Sequence, residues 1–109
     1  MAKLEKILKG DFEQILDKIE RGILEGNISA TLEGSSDFKD GDSRCSVRVF
    51  ERYSTIGGNR VSLSVTLFQY NDSEIFISAI TSGGSQAVLL KMNTFGEKAF
   101  LNKLADIIQ

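Results

Sequence analysis

The sequence contains no histidine, no proline, no tryptophan and a single cysteine, Cys45. The lack of histidine excludes Ser-His and Cys-His catalysis, histidine general acid–base chemistry and histidine metal ligation. A lone thiol cannot form an internal disulfide, so the cysteine framework of a small secreted domain is excluded too. We therefore expect no catalytic residue, no metal and no cofactor, and we favour a non-enzymatic protein.

Long apolar runs and a strong net charge are also missing. No apolar run approaches the ~20 residues of a membrane span, and no cationic stretch precedes an apolar one as in a signal peptide. A net charge of −2 gives no argument for binding nucleic acid or an anionic membrane. With 41% hydrophobic and 26% charged residues, the sequence predicts one soluble, cytoplasmic domain over residues 1–109.

Two segments have the pattern of amphipathic helices. Asp11 with Gln14 three residues later predicts an N-cap, and Gly26-Asn27 predicts the helix end. Thr94-Phe-Gly-Glu97 is a second capping pattern, which predicts a helix running to the C-terminus. The apolar stripe of the first helix is Phe12, Ile15, Leu16, Ile19 and Ile23, and that of the second is Phe100, Leu104, Ile107 and Ile108.

Six segments have strand patterns: 2–9, 28–33, 44–53, 60–69, 75–81 and 87–92. The first is open between strand and helix, because Leu4 and Leu8 would share a face in either. The break at Gly10-Asp11 favours a strand. Residues 34–43 have no period and three acidic residues, so they predict a mobile surface loop with Phe38 tucked beneath it.

The two long central strands alternate apolar and polar residues, so the sheet should have one covered and one open face. The apolar set, with Cys45 as a buried thiol, is predicted to face the core: Cys45, Val47, Val49 and Tyr53, then Val61, Leu63, Val65 and Leu67. The open face then carries the arginines and hydroxyl residues. Ile75–Thr81 is apolar at nearly every position, which is typical of a strand covered on both faces.

The predicted order is strand, helix, five strands, helix. Two amphipathic helices have to bury their stripes against the apolar face of the sheet. The fold class is therefore α+β with two layers: a curved antiparallel sheet of five or six strands and both helices on one face. The order β-α-β-β-β-β-β-α is similar to TATA-binding-protein-like or helix-grip folds, which carry no function by themselves.

Five stretches together resemble a family of small bacterial proteins catalogued only as a domain of unknown function: 9–12, 49–54, 57–63, 78–86 and 93–97. The resemblance extends over essentially the whole chain. It implies a complete domain in a bacterial cytoplasm, and it implies no activity, ligand or catalytic residue.

The predicted open face supplies the candidate ligand-binding residues: Arg44, Arg48, Arg52, Arg60, Ser62 and Ser64. Guanidinium groups among hydroxyl groups suit a phosphate or carboxylate through bidentate hydrogen bonds. A solvated sheet face and an oligomer interface explain the same residues. Two weaker candidates are the Ser82-Gly-Gly-Ser85 turn as an anion nest and Asp37, Asp40 and Asp42 as a cation loop, and each is better explained as an ordinary surface turn or loop.

These observations favour a non-enzymatic domain that binds itself, or another partner, through its sheet. The alternative is a domain that holds a small anionic or apolar ligand between sheet and helix, with an arginine at the mouth of the cavity. The expected partners are therefore a second copy of the chain or a small anion, without nucleic acid or membrane.

Overall fold

A computed structural model describes residues 2–26, 29–53, 60–83 and 101–108. The elements are β1 (Ala2–Leu8), α1 (Phe12–Gly26), β2 (Thr31–Asp40), β3 (Ser43–Tyr53), β4 (Arg60–Gln69) and β5 (Ile75–Gly83). A second helix, α2, is described over residues 101–108. The predicted turn at 57–58, strand at 87–92 and helix cap at 94–97 lie outside the described residues, as does the second half of the turn at 82–85.

The five strands form one open sheet in the order β1-β5-β4-β3-β2, and every neighbouring pair is antiparallel. This confirms the α+β class and the antiparallel sheet with two helices. The TATA-binding-protein-like or helix-grip order stays a prediction. The prediction of a strand at the N-terminus is confirmed, and Leu4 and Leu8 both pack against the core from one face of β1.

The first helix forms where its cap and stripe predict it. The backbone N–H of Gln14 donates to the Asp11 carboxylate at 2.9 Å, which satisfies one of the free donors of the first turn. Four residues of the stripe are buried: Phe12, Leu16, Ile19 and Ile23. A Cβ atom at Gly22 would lie 2.7 Å from the Ile107 side chain, so glycine allows α2 to approach α1 closely.

One core joins the helices to one face of the sheet, called here the covered face. Leu104 and Ile108 of α2 and the α1 stripe belong to the same buried cluster as this face. The sheet contributes Phe50, Val61, Leu63, Val65, Leu67, Ile75, Ile77 and Ala79. Thr81 is also buried there, and its hydroxyl bonds the backbone N–H and C=O of Ala2 at 3.2 and 3.3 Å.

The predicted faces of β3 are wrong. Phe50, Ser46 and Arg48 are buried on the covered face, whereas Cys45, Val47 and Val49 are half-buried on the opposite face. The register pairs Phe50 with Leu63 of β4, so the buried residues of the two strands share the covered face. Phe50 buries more apolar surface than a valine, so the side of β3 that carries Phe50 faces the core. Three arginines of β3 lie on that same side.

The predicted loop at 34–43 is wrong as well. β2 continues to Asp40 and joins β3 through a two-residue turn at Gly41-Asp42. Gly41 has φ +60°, which a glycine adopts without strain at the first central position of a hairpin. Backbone pairing to β3 holds this polar stretch as a strand, with a bulge between Leu32 and Gly34. Phe38 is 68% exposed rather than tucked beneath a loop.

The reversed faces of β3 predict a difference between two adjacent core-strand substitutions. Phe50→Ala should lower the free energy of unfolding by about 3–5 kcal/mol because it empties a fully buried site. Val49→Ala, the matched control on the other face, should cost about 1 kcal/mol or less. Urea denaturation measures both values, and a larger loss for Val49→Ala would restore the faces predicted from sequence.

Candidate functional site

The sheet separates the six candidate ligand-binding residues into two groups. Arg44, Arg48 and Arg52 belong to the covered face, where their Cα partners on β4 are Gln69, Val65 and Val61. Arg60, Ser62 and Ser64 have the opposite parity and lie on the other face, called here the open face. Arg52 and Arg60 are near each other along the ladder, as predicted, but point to opposite sides of the sheet. The six residues therefore do not form one site, and ligand binding by either group stays a prediction.

Arg48 connects three elements at the edge of the core. Its Nε donates to the Glu20 carboxylate of α1, and its Nη2 lies 3.0 Å from the Asp37 carboxylate of β2. Its Nη1 donates to the backbone carbonyls of Val47 and Ser36 at 3.0 and 3.4 Å. The buried Ser46 hydroxyl donates to the same Asp37 oxygen at 2.6 Å. The guanidinium thus ties the helix to the sheet while satisfying its own donors.

The network also sets the charge states of its members. The hydrogen bond from Ser46 lowers the pKa of Asp37; partial burial opposes this shift, and the hydrogen bond and charge of Arg48 reinforce it. Burial alone would lower the pKa of Arg48, but the hydrogen bonds to Glu20 and Asp37 outweigh it and raise that pKa. Both groups therefore stay ionised at neutral pH.

The other two arginines of the covered face, Arg44 and Arg52, lie on β3 as well. Arg44 pairs with Glu13 in the first turn of α1, and its guanidinium lies 4.3 Å from the centre of the Phe12 ring. Burial lowers the pKa of Arg52. The pairing with α1 could have been anticipated, since Glu13 and Glu20 are ~10 Å apart along a helix. Arg44 and Arg48 are ~13 Å apart along a strand, so the spacing of the two arginines is similar to that of the two glutamates.

The open face carries a continuous line of apolar side chains across all five strands. The registers place them opposite one another in the order Ile7, Phe76, Phe68, Cys45 and Phe38, called here the apolar row. The rings of Phe68 and Phe76 are 6.5 Å apart. Ile80, Val47 and Val49 extend the apolar surface along β5 and β3.

The apolar row is exposed to an unusual degree for aromatic and branched side chains. The exposed fractions are 53% for Ile7, 45% for Phe76, 43% for Phe68 and 68% for Phe38. Ile7, Phe68 and Phe76 line a shallow depression of about 610 Å³ at the β1 side of the face. Cys45 is half-buried between its neighbours in the row, so the prediction that it faces the core is wrong.

Most of the remaining residues of the open face are small hydroxyl residues and ion pairs, with exposed Tyr53 at the end of β3 and Asp40 at the end of β2. Arg60 donates to the Glu51 carboxylate at 2.9 Å, and Lys3 lies 3.9 Å from Glu5. The outer side of α1, by contrast, is charged, for example at Asp17 and Arg21, which pair at 3.0 Å. Among the described surfaces, the apolar one is the open face. The sequence signal for it was Ile75–Thr81, whose alternate residues Phe76 and Ile80 face outward while the others enter the core.

The described part of the chain contains no cluster of cysteine, aspartate and glutamate side chains suited to hold a metal ion. Neither of its helices is long and apolar enough to cross a membrane.

A family model described as "Family of unknown function (DUF6054)" matches residues 1–109. The match is consistent with the resemblance to a domain of unknown function. No curated protein matches the chain.

The Arg48 network predicts unequal effects for two ion-paired arginines on opposite faces. Arg48→Met should destabilise the fold by about 1–3 kcal/mol, because it leaves the Glu20 and Asp37 carboxylates without their shared donor. Arg60→Met, the matched control, should cost less than about 1 kcal/mol because the Arg60–Glu51 pair is more exposed. Denaturant titrations of both variants test this, and equal losses would show that the network does not hold the helix.

The lowered pKa of Asp37 predicts an acid-sensitive contribution to stability. In the unfolded chain this carboxyl titrates near its ordinary value of about 3.9, above its folded value, so the unfolded state binds more protons in that range. Stability should therefore fall as the pH drops below about 4, and Asp37→Asn should show a shallower fall. Asp40→Asn, in the same strand, is the control. Parallel pH profiles of the parent and Asp37→Asn would contradict the assignment.

Proposed function

The chain belongs to this family of unknown function (DUF6054), and we propose that it is a non-enzymatic domain that binds protein through the open face of its sheet. The observation that carries the proposal is the apolar row, which spans all five strands and ends at exposed Phe38 and Ile7. An exposed apolar patch of several hundred Å² on a folded domain usually marks an interaction site.

The extent of the open face suits a protein partner better than a small molecule. Five strands at a spacing of ~4.8 Å make the face about 24 Å wide. The rows from Phe68 to Ser62, two residues apart along each strand, make it about 27 Å long, including the width of the side chains. The product is on the order of 600 Å² for one partner, so that an interface would bury about 1,200 Å² in total, the lower bound for a specific complex.

The composition of the face matches the anatomy of such interfaces. Phe38, Phe68 and Phe76 lie at one end of it, and Phe68 is on the central strand β4, with neighbours on both sides. Serine and threonine occupy the middle positions of β4. The Arg60–Glu51 pair lies away from the row, and the Lys3–Glu5 pair lies on the edge strand β1 beside Ile7. Aromatic anchors surrounded by polar residues are typical of the sites that dominate binding energy.

The alternative function, a small anion held by arginines between sheet and helix, has less support. Arg44 and Arg48 already pair with Glu13 and Glu20, so a phosphate or carboxylate would have to displace these carboxylates. Arg60, another of the four arginines proposed for such a site, lies on the open face and pairs with Glu51. An anion would therefore compete with existing partners at each of these guanidinium groups.

The proposal predicts that outward-facing aromatic residues determine the assembly state. In extract from cells that produce the chain, Phe68→Ser plus Phe76→Ser should shift its elution from a complex to the 12.0 kDa monomer. Leu24→Ser is the control, since Leu24 is an exposed apolar residue of α1. Circular dichroism and denaturation should show that all variants are folded. Elution of the unmodified chain at the monomer mass would contradict the proposal.

A further inference from the structure

We propose that the partner of the open face is a second copy of this chain, with the two sheets packed face to face about a two-fold axis parallel to the strands and above β4. This inference rests on the proposed function and names the partner that the open face takes. The strand order supplies the first argument, because β4 is the middle strand of five and divides the open face into equal halves. Two such faces superimpose fully when β4 lies over β4 of the second copy.

The charges of the open face permit self-association. Its charged groups include two pairs of opposite sign, Lys3 with Glu5 and Arg60 with Glu51, each within its own subunit. Each pair is neutral, so these groups bring no net repulsion to the contact, and Asp40 lies at the periphery of the face, at the end of the edge strand β2. A strongly basic or acidic partner would gain little from such a face.

The apolar row matches itself under this rotation. A two-fold axis parallel to the strands exchanges β1 with β2 and β5 with β3, and it leaves each cross-strand row facing the same row of the second copy. Phe68 then faces Phe68, Phe76 faces Cys45, and Ile7 faces Phe38. Two rows along the sheet, Ile80 faces Val49. Apolar side chains meet apolar side chains at every one of these positions.

The other two-fold arrangements bury less apolar surface. An axis across the strands at the middle of the face would set Phe68 against Ser62 and Cys45 against Glu51. An axis across the strands at the apolar row would set Cys45 against Cys45, but more than half of each face would extend past the other copy. That contact would fall well below the ~1,200 Å² expected of a specific interface.

Cysteine pairs distinguish these arrangements. Facing sheets are about 10 Å apart, too far for a direct disulfide, so a short bis-maleimide is the appropriate cross-linker. The unmodified chain, whose thiol is Cys45, is mixed with a Cys45→Ser, Phe76→Cys variant that carries a distinguishable tag. We expect a cross-linked product of one copy of each, in several-fold higher yield than from either protein alone. Mixing Cys45→Ser, Val49→Cys with Cys45→Ser, Ile80→Cys should give the same result without altering an aromatic residue.

The controls separate this inference from the proposed function. Cys45→Ser, Leu24→Cys should give no product in any mixture, because Leu24 lies on α1. Efficient cross-linking of the unmodified chain alone would overturn the arrangement in favour of the axis at the row. A purified chain that stays at 12.0 kDa by light scattering and cross-links in no mixture would overturn self-association. The proposed function would survive that result if the complex in extract were still lost on Phe68→Ser plus Phe76→Ser.

Discussion

The guanidinium of Arg48 lies on the covered face of the sheet, where it bonds Glu20 of α1 and Asp37 of β2. Burying a charge is costly unless it is paired, and here two carboxylates and two carbonyls supply the pairing. Because side chains alternate along a strand, Arg48 and Phe50 inside require Val47 and Val49 outside. The pairing registers then determine which residues of the other four strands share each of these two faces.

The apolar row is a consequence of that parity. β4 and β5 direct one set of apolar residues into the core, yet they also carry Phe68, Phe76 and Ile80 on the opposite side. A sheet with helices on one face and water on the other ordinarily places polar residues outside. Apolar residues aligned across five strands depart from that pattern, and a covering protein surface gives them a physical role.

Local signals predicted much of the fold. Asp11 and the stripe of α1 located the first helix, and alternation located β3 and β4. The break at Gly10-Asp11 favoured a strand for β1, and the apolar run Ile75–Thr81 predicted β5. Two features depended on contacts that the sequence does not show. The part of β2 from Gly34 onward looks like a loop because residues such as Ser35 and Asp37 are polar, and its pairing with β3 makes it a strand. The arginines of β3 looked solvated because their partners lie 28 and 31 residues away on α1. Because these partners are distant in sequence, the arginines of β3 were predicted to share the open face with Arg60, Ser62 and Ser64. The apolar row could be recognised only once the strand registers were known.

The most direct test of the central claim, that a second copy covers the open face, is hydroxyl-radical footprinting across a dilution series. Mass spectrometry reports the oxidation of each aromatic and aliphatic side chain. A dimer formed through the open face predicts that Phe68 and Phe76 are oxidised at low protein concentration and become several-fold protected at high concentration, while Leu24 of α1 is oxidised equally throughout. Equal oxidation of Phe68 and Phe76 at every concentration would contradict it.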